Sequence, residues 1–271
     1  MEPDEVRRQW RDPVRDSRPV AAMWDLMADD FAVGPVPDDS DPFVKLIRDN
    51  WHIGPQTRIL DIGCGTGGYT VRLAAGAQTA LGLDISPAML RAAADLAVRS
   101  GAHNVRFELA DWNVLSPAGP LLKDGFDIVY ARLSPAIRSA ASFEKMIACC
   151  RGLGVLTKPT HRRDRVRAAV LGAAGVKDRS DDDEAVRYAD ELLRGLGYRP
   201  QYRYADDVWS LDRPVHEVLQ YHLEQLASLT ELTPAVVHKV ADAVAALAEG
   251  GVVHERIASV RTTLFWRMDR Q

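Results

Sequence analysis

Cysteine is scarce: Cys64, Cys149 and Cys150 are the only three in 271 residues. Two are adjacent and the third lies in a glycine-rich stretch, so no even-numbered disulfide framework exists, and a reducing, cytoplasmic setting is expected. Neither sign of charge dominates. Lys and Arg total 34 against 38 Asp and Glu, for a formal net charge of −4, which argues against the broad basic face that long nucleic acids demand. No apolar run approaches the roughly 18–20 residues needed to span a bilayer, and the charged Met1–Arg8 segment lacks an apolar signal-peptide core. The seven histidines do not cluster. His216 and His222 do not share a helical face, and Glu217 between them does not complete the H-E-x-x-H pattern, so no metal site is expected. Internal repeats and low-complexity tracts are also lacking.

What is present is an ordinary globular balance, 46% hydrophobic and 27% charged. Its length fits one full α/β domain with added elements. Residues 1–17 read as a charged arm or short helix. From Arg18 to Phe31, the residues Val20, Met23, Trp24, Met27 and Phe31 recur at helical spacing. Gly34–Ser40 reads as a loop. Asp41-Pro42 then starts a further helix, with Asp as cap and Pro in the first turn. Strands are predicted at Arg58–Ile62, Thr79–Leu83, Val105–Leu109, Phe126–Tyr130 and Gly154–Leu156. Between them lie helices near Tyr69–Ala75, from Ser86-Pro87 to Ser100, and over Ser142–Cys150. That alternation predicts a parallel, doubly wound sheet, whose ligands bind beyond the carboxyl ends of the strands. Downstream, helices are predicted at Arg162–Ala174, Asp183–Leu196, Arg213–Leu229 and Pro234–Ala248. Strands are predicted near Pro200–Tyr204 and over Arg256–Arg267.

The first strand runs into Asp61-Ile62-Gly63-Cys64-Gly65-Thr66-Gly67-Gly68. Glycines let the backbone turn sharply and approach a ligand, yet Gly63, Gly65 and Gly68 also satisfy dinucleotide spacing. Three acids discriminate. Asp61, at the first strand's end, suits the ammonium of an amino-acid ligand and would repel a pyrophosphate. Asp84 closes the second strand, where a carboxylate accepts from ribose hydroxyls. Asp111-Trp112 follows the third strand, placed to take an adenine amino group and cover its ring.

In this order these segments, with Phe126-Asp127-Ile128-Val129-Tyr130, resemble the class I (Rossmann-like) S-adenosylmethionine-dependent methyltransferases over roughly residues 57–156. The resemblance implies an α/β fold, with a doubly wound seven-stranded sheet and an antiparallel last strand supplied by 256–267. N-terminal helices over 1–56 would form a cap or lid on a domain at 57–271, with a helical insertion at about 205–250. The implied cofactor is S-adenosylmethionine, contacted by Asp61, Gly63, Cys64, Gly65, Gly67, Asp84, Ile85, Asp111, Trp112 and Ala131. After the fourth strand stands Tyr130-Ala131-Arg132-Leu133-Ser134-Pro135, without the Asn/Asp-Pro-Pro-aromatic run of members that methylate base amines or glutamine amides. Cys149-Cys150 is not the spread cysteine set of arsenite methylation.

The expected function is methylation of a small-molecule O, N, S or C nucleophile, with nucleic acid and membrane partners not expected and a homodimer allowed for. A non-catalytic cofactor-binding partner or sensor, and an RNA or protein methyltransferase, are the alternatives. Catalytic candidates are Tyr130, Arg132 and His161, each with a plainer reading: core packing for Tyr130, an ion pair for Arg132. The basic run from Lys158 through Arg167, which includes His161, reads as a solvated helix face that could instead attract an anion. The acidic run Asp181–Glu184 reads as helix capping.

Overall fold

A computed structural model describes residues 1–12, 14, 16–178 and 184–268. In chain order the elements are α1 (Pro3–Gln9), α2 (Arg18–Ala32), α3 (Pro42–Asn50), β1 (Arg58–Ile62), α4 (Gly68–Ala74), β2 (Thr79–Asp84), α5 (Pro87–Arg99), β3 (Val105–Leu109) and β4 (Phe126–Arg132). They continue as α6 (Ala140–Cys149), β5 (Cys150–Asp164), α7 (Arg165–Ala173), α8 (Glu184–Gly195), β6 (Gln201–Pro214), α9 (Val215–Ala227), α10 (Pro234–Ala245), β7 (Ala248–Glu249) and β8 (Val252–Arg267). Seven strands lie in the order β3-β2-β1-β4-β5-β8-β6, and the two-residue β7 pairs with the start of β8. Strands β1 to β5 pair in parallel, while β8 runs antiparallel to both neighbours. The expected sheet, with its antiparallel last strand, is the one observed.

Local chemistry explains the starts of the helices. Asp41 accepts from the N–H groups of Phe43 and Val44, and Ser86 from Met89 N–H, each satisfying donors the first helical turn leaves free. The sheet buries both faces. Leu60, Ile62, Val129 and Phe143 lie on one side, and Ile59, Ile128, Phe43 and Ile47 on the other.

Four expectations need correction. The fifth strand is not the short Gly154–Leu156 but the 15-residue β5, because β8 offers pairing partners out to Asp164. The basic run is therefore mostly strand rather than helix face, and α7 begins at Arg165 with Asp164 accepting from Arg167 N–H. The insertion placed at 205–250 is not purely helical. Its first fifth or so, up to Pro214, belongs to β6, paired with β8 from Gln201 to Pro214, and only α9 and α10 are helical. Cys150 opens β5 instead of closing the preceding helix. Of the acidic run, residues 181–183 lie outside the described residues.

The N-terminal helices go to three places. α1 packs on α6 and α8, α2 on α5 and α9, and α3 on α4. Only α2 overhangs the carboxyl ends of the strands, through Val20, Trp24 and Phe31.

Candidate functional site

A cavity of about 530 Å³ opens at the carboxyl ends of β1, β2 and β4. Asp61, Gly63, Cys64, Gly65, Asp84, Ile85, Asp111 and Trp112 all border it, as do the catalytic candidates Tyr130 and Arg132. Gly67 and Ala131 do not. Gly67 caps α4 with φ 78°, and Ala131 is fully buried in the sheet. His161 lies outside this cavity, exposed on β5.

The glycine turn is sterically required. Gly63 has φ 74°, and a Cβ there would lie 1.9 Å from Ser134 Oγ; no other residue fits without movement. The turn holds Gly63 and Cys64 N–H on the Leu83 carbonyl. It also sends Gly65 N–H to Asp84 Oδ2 at 2.8 Å, while Ser86 N–H donates to Asp84 Oδ1 at 2.9 Å. Asp84 is thereby fixed at the rim with lone pairs to spare. Asp25 of α2 accepts from Ser86 Oγ at 2.5 Å and from Ala88 N–H at 2.9 Å, which ties the overhanging helix to the strand end.

Asp61 is buried (3% exposed). Thr70 Oγ1 and the Tyr130 hydroxyl both donate to its Oδ2, at 2.6 and 2.8 Å. Burial nevertheless dominates and pushes its carboxyl up to about 7, with the charge of Asp84 adding to the rise and the two donors and Arg132 opposing it. Across the cavity Arg132 has no carboxylate partner among the described residues. Its guanidinium instead stacks over the rings of Tyr69 (4.1 Å) and Phe43 (5.6 Å), and burial lowers its affinity for a proton. Among the described residues, the plainer reading of Arg132 as an ion pair does not describe it.

Tyr130 stays a phenol, because burial and then the charge of Asp61 hold its pKa well above the ordinary value. Burial, then Asp61 and Asp84, likewise keep the Cys64 thiol protonated, which removes it as a nucleophile. Asp111 Oδ1 accepts from Asn113 N–H at 2.8 Å. Trp112 packs into the core with its Nε1 donating to the Ser142 carbonyl at 3.0 Å, so most of its ring is committed to packing.

The site fits S-adenosylmethionine on its own terms. A desolvated carboxylate and an unpaired guanidinium share one cavity, matching the charges of an amino acid, and a second carboxylate sits at the adjacent strand end where a ribose is held. A pyrophosphate would meet Asp61 instead of bare N–H groups.

Residues 53–174 match the family model described as a methyltransferase domain. Over that segment the chain is similar to methyltransferase domains. Among curated proteins, a 23S rRNA uracil-C(5)-methyltransferase of Salmonella typhimurium is 34% identical over 92 residues, covering 34% of this chain and 21% of that protein. The corresponding enzyme of Alkalilimnicola ehrlichii is 35% identical over 77 residues, covering 28% and 17%. The chain thus spans about a fifth of the length of these relatives. Among solved structures, MccD protein superimposes with a TM-score of 0.50 at 14% identity, covering 86% of this chain and 99% of that one. A methyltransferase of Geobacter sulfurreducens crystallised with S-adenosylhomocysteine gives 0.48 at 16% identity, covering 88% and 96%. At such identities the first of these speaks for the fold alone. No helix among the described residues is long and apolar enough to cross a membrane.

Two residues at the site escape sequence reasoning. Asp25 and Arg138 belong to α2 and to the loop after β4, and no local pattern marks them. The apolar stripe of α2 was the available signal for the overhang.

Proposed function

We propose that the chain transfers a methyl group from S-adenosylmethionine to a small-molecule nucleophile. One observation carries this reading: the cofactor cavity adjoins a second one of about 410 Å³, roofed by α2 and flanked by α9, a space of the size that small ligands occupy. In the first cavity Asp61 takes the amino-acid ammonium, Arg132 the carboxylate, Asp84 the ribose hydroxyls, and Asp111 and Trp112 border the adenine. Bound cofactor supplies an electrophilic sulfonium methyl. The protein then has to hold an acceptor in line with that methyl and keep water out. Val20 and Trp24 border both cavities, which supports α2 as the lid. Tyr130 acts as a positioning residue for Asp61.

The rRNA specificity of the partial relatives favours RNA as a second acceptor class, but their similarity is confined to about a third of this chain. The second cavity, of small-ligand size, supports the smaller acceptor. Three unpaired thiols support a cytoplasmic location. The edge strand β6, with Tyr204 and Val208 exposed, supports pairing with a second copy, which light scattering would register as twice the chain mass. The functional test is label transfer from methyl-labelled S-adenosylmethionine into fractionated cell metabolites and, separately, into rRNA. Label in the low-mass fraction is expected. Label only in RNA, or cofactor binding with no transfer at all, would replace this reading with an RNA-directed enzyme or a sensor.

A further inference from the structure

The second cavity has a chemical character of its own, and assigning it an acceptor rests on the chain being a methyltransferase. Its lining includes apolar side chains, Val20, Met23 and Trp24 of α2 with Val186 and Leu229. It also carries four basic ones: Arg138, Lys158, Arg162 and Arg167. Among the described residues no carboxylate side chain lines it.

Three of these cations are tied at one end. Arg138 Nε donates to Asp12 at 2.7 Å, Arg162 Nη2 to Asp164 at 2.8 Å, and Arg167 Nη1 to Gln225 Oε1 at 2.6 Å, with Asp178 3.4 Å from its Nε. The buried Nε atoms of Arg162 and Arg167 make no hydrogen bond. Lys158 is different. Its ammonium donates to the Ser134 carbonyl at 2.6 Å, and no carboxylate pairs with it among the described residues. Burial, and then the charge of Arg138, push it down to about 7. A half-buried ammonium without an anion is costly, and Lys158 meets that cost by giving up its proton near neutrality; an anion entering the cavity would restore its charge.

The backbone around this group is strained where it meets the two cavities. Leu133, which borders both, has φ 53°; His161, one residue beyond the Pro159–Thr160 lining and itself outside both cavities, has φ 49°. At His161 the pairing of β5 with β8 shifts register between Thr160 and Arg163. Non-glycine residues in the left-handed region cost free energy and concentrate at functional sites, and register shifts of this kind re-aim side chains.

We propose that this cavity holds the methyl acceptor as an organic acid, with an apolar body against α2 and a carboxylate or phosphate on Lys158, flanked by Arg162 and Arg167. A group of cations recessed in a small cleft beside apolar side chains suits a small amphipathic acid better than a nucleic-acid backbone, which needs an extended basic surface.

The test uses the full chain saturated with S-adenosylhomocysteine, titrated calorimetrically with 3-phenylpropionate, octanoate and phenyl phosphate, each beside its neutral amide or alcohol. At least one acid should bind about tenfold or more tightly than its neutral counterpart. Lys158→Met and Arg162→Gln should each weaken that binding by about tenfold, and Arg162→Lys should restore part of it. S-adenosylhomocysteine affinity, expected to change by less than about twofold, shows that the variants fold and that the cofactor site stands. Equal binding of acids and neutral analogues overturns the proposal, as does acid binding unchanged in both variants, binding of none of the acids, or binding of a short RNA in their place. A second arm splits cell metabolites into acidic and neutral pools and adds methyl-labelled cofactor. Label in the acidic pool supports the proposal. Label in the neutral pool alone overturns it while upholding methyl transfer. Acids that bind, with no label in either pool, overturn methyl transfer and with it the acceptor role.

Discussion

Cofactor affinity should depend on pH through Asp61, with a sign that follows from its burial. Burial pushes this carboxyl from 3.8 up to about 7, so near neutrality the folded protein retains a proton that the unfolded chain has lost. Between about pH 4 and 7 this group therefore makes the protein less stable as pH rises. An ammonium placed beside Asp61 restores its charge, so the proton must leave on binding. Affinity for S-adenosylhomocysteine then climbs with pH until about pH 7 and levels off. With the carboxyl titrating near 7, roughly one site in ten is ionised at pH 6 and nine in ten at pH 8. The dissociation constant should thus fall about tenfold across that interval, or about 1.4 kcal/mol. Calorimetry in buffers of different ionisation heat reads this directly, as about 0.9 proton released per ligand at pH 6 and about 0.1 at pH 8. In Asp61→Asn both the slope and the proton release should vanish, which separates Asp61 from any histidine. Affinity constant within about twofold from pH 6 to 8, with no proton released, would refute the pairing of Asp61 with the ligand's ammonium.

Three further outcomes are expected from the same contacts. Tyr130→Phe removes one of the two donors to Asp61, so the midpoint of that pH dependence should move above 7. Affinity at pH 7 should fall by about 1.5–3 kcal/mol in the same calorimetric series. Gly63→Ala drives a methyl into Ser134 from a backbone at φ 74°; thermal unfolding should show a loss of at least about 1–2 kcal/mol together with weakened cofactor binding. Arg213 pairs with Glu255 in the interior at 2.6 and 3.0 Å, joining the strands that carry α9. Denaturant unfolding of Arg213→Met should register a loss of about 3–5 kcal/mol, which Arg213→Met with Glu255→Leu largely recovers.

How much was legible in the sequence depended on how local each signal is. Asp61, Asp84 and Asp111 stand at strand ends next to glycines or turns, so a few consecutive residues carry both the strand and its terminal acid. The parallel core was readable for the same reason. β5, β6 and β8 were underestimated because their outer halves are rich in charge. Lys158 to Asp164 and Ala205 to Arg213 extend only because a 16-residue partner strand holds them, and pairing at that distance leaves no periodic mark that a helix or loop would lack. The second cavity was the least legible part. It assembles α2, the loop after β4, the tail of β5 and α9 across some two hundred residues of sequence. Lys158, Arg162 and Arg167 were noticed as a charge run, but Tyr221 and Gln225 reach the same space only through the path of α9.

A crystal structure of the chain with S-adenosylhomocysteine tests the central claim most directly. The account predicts the amino-acid end between Asp61 and Arg132, the ribose on Asp84, and the sulfur facing the second cavity beneath α2. A ligand whose sulfur faces open solvent, or whose amino-acid end lies away from Asp61, would contradict it.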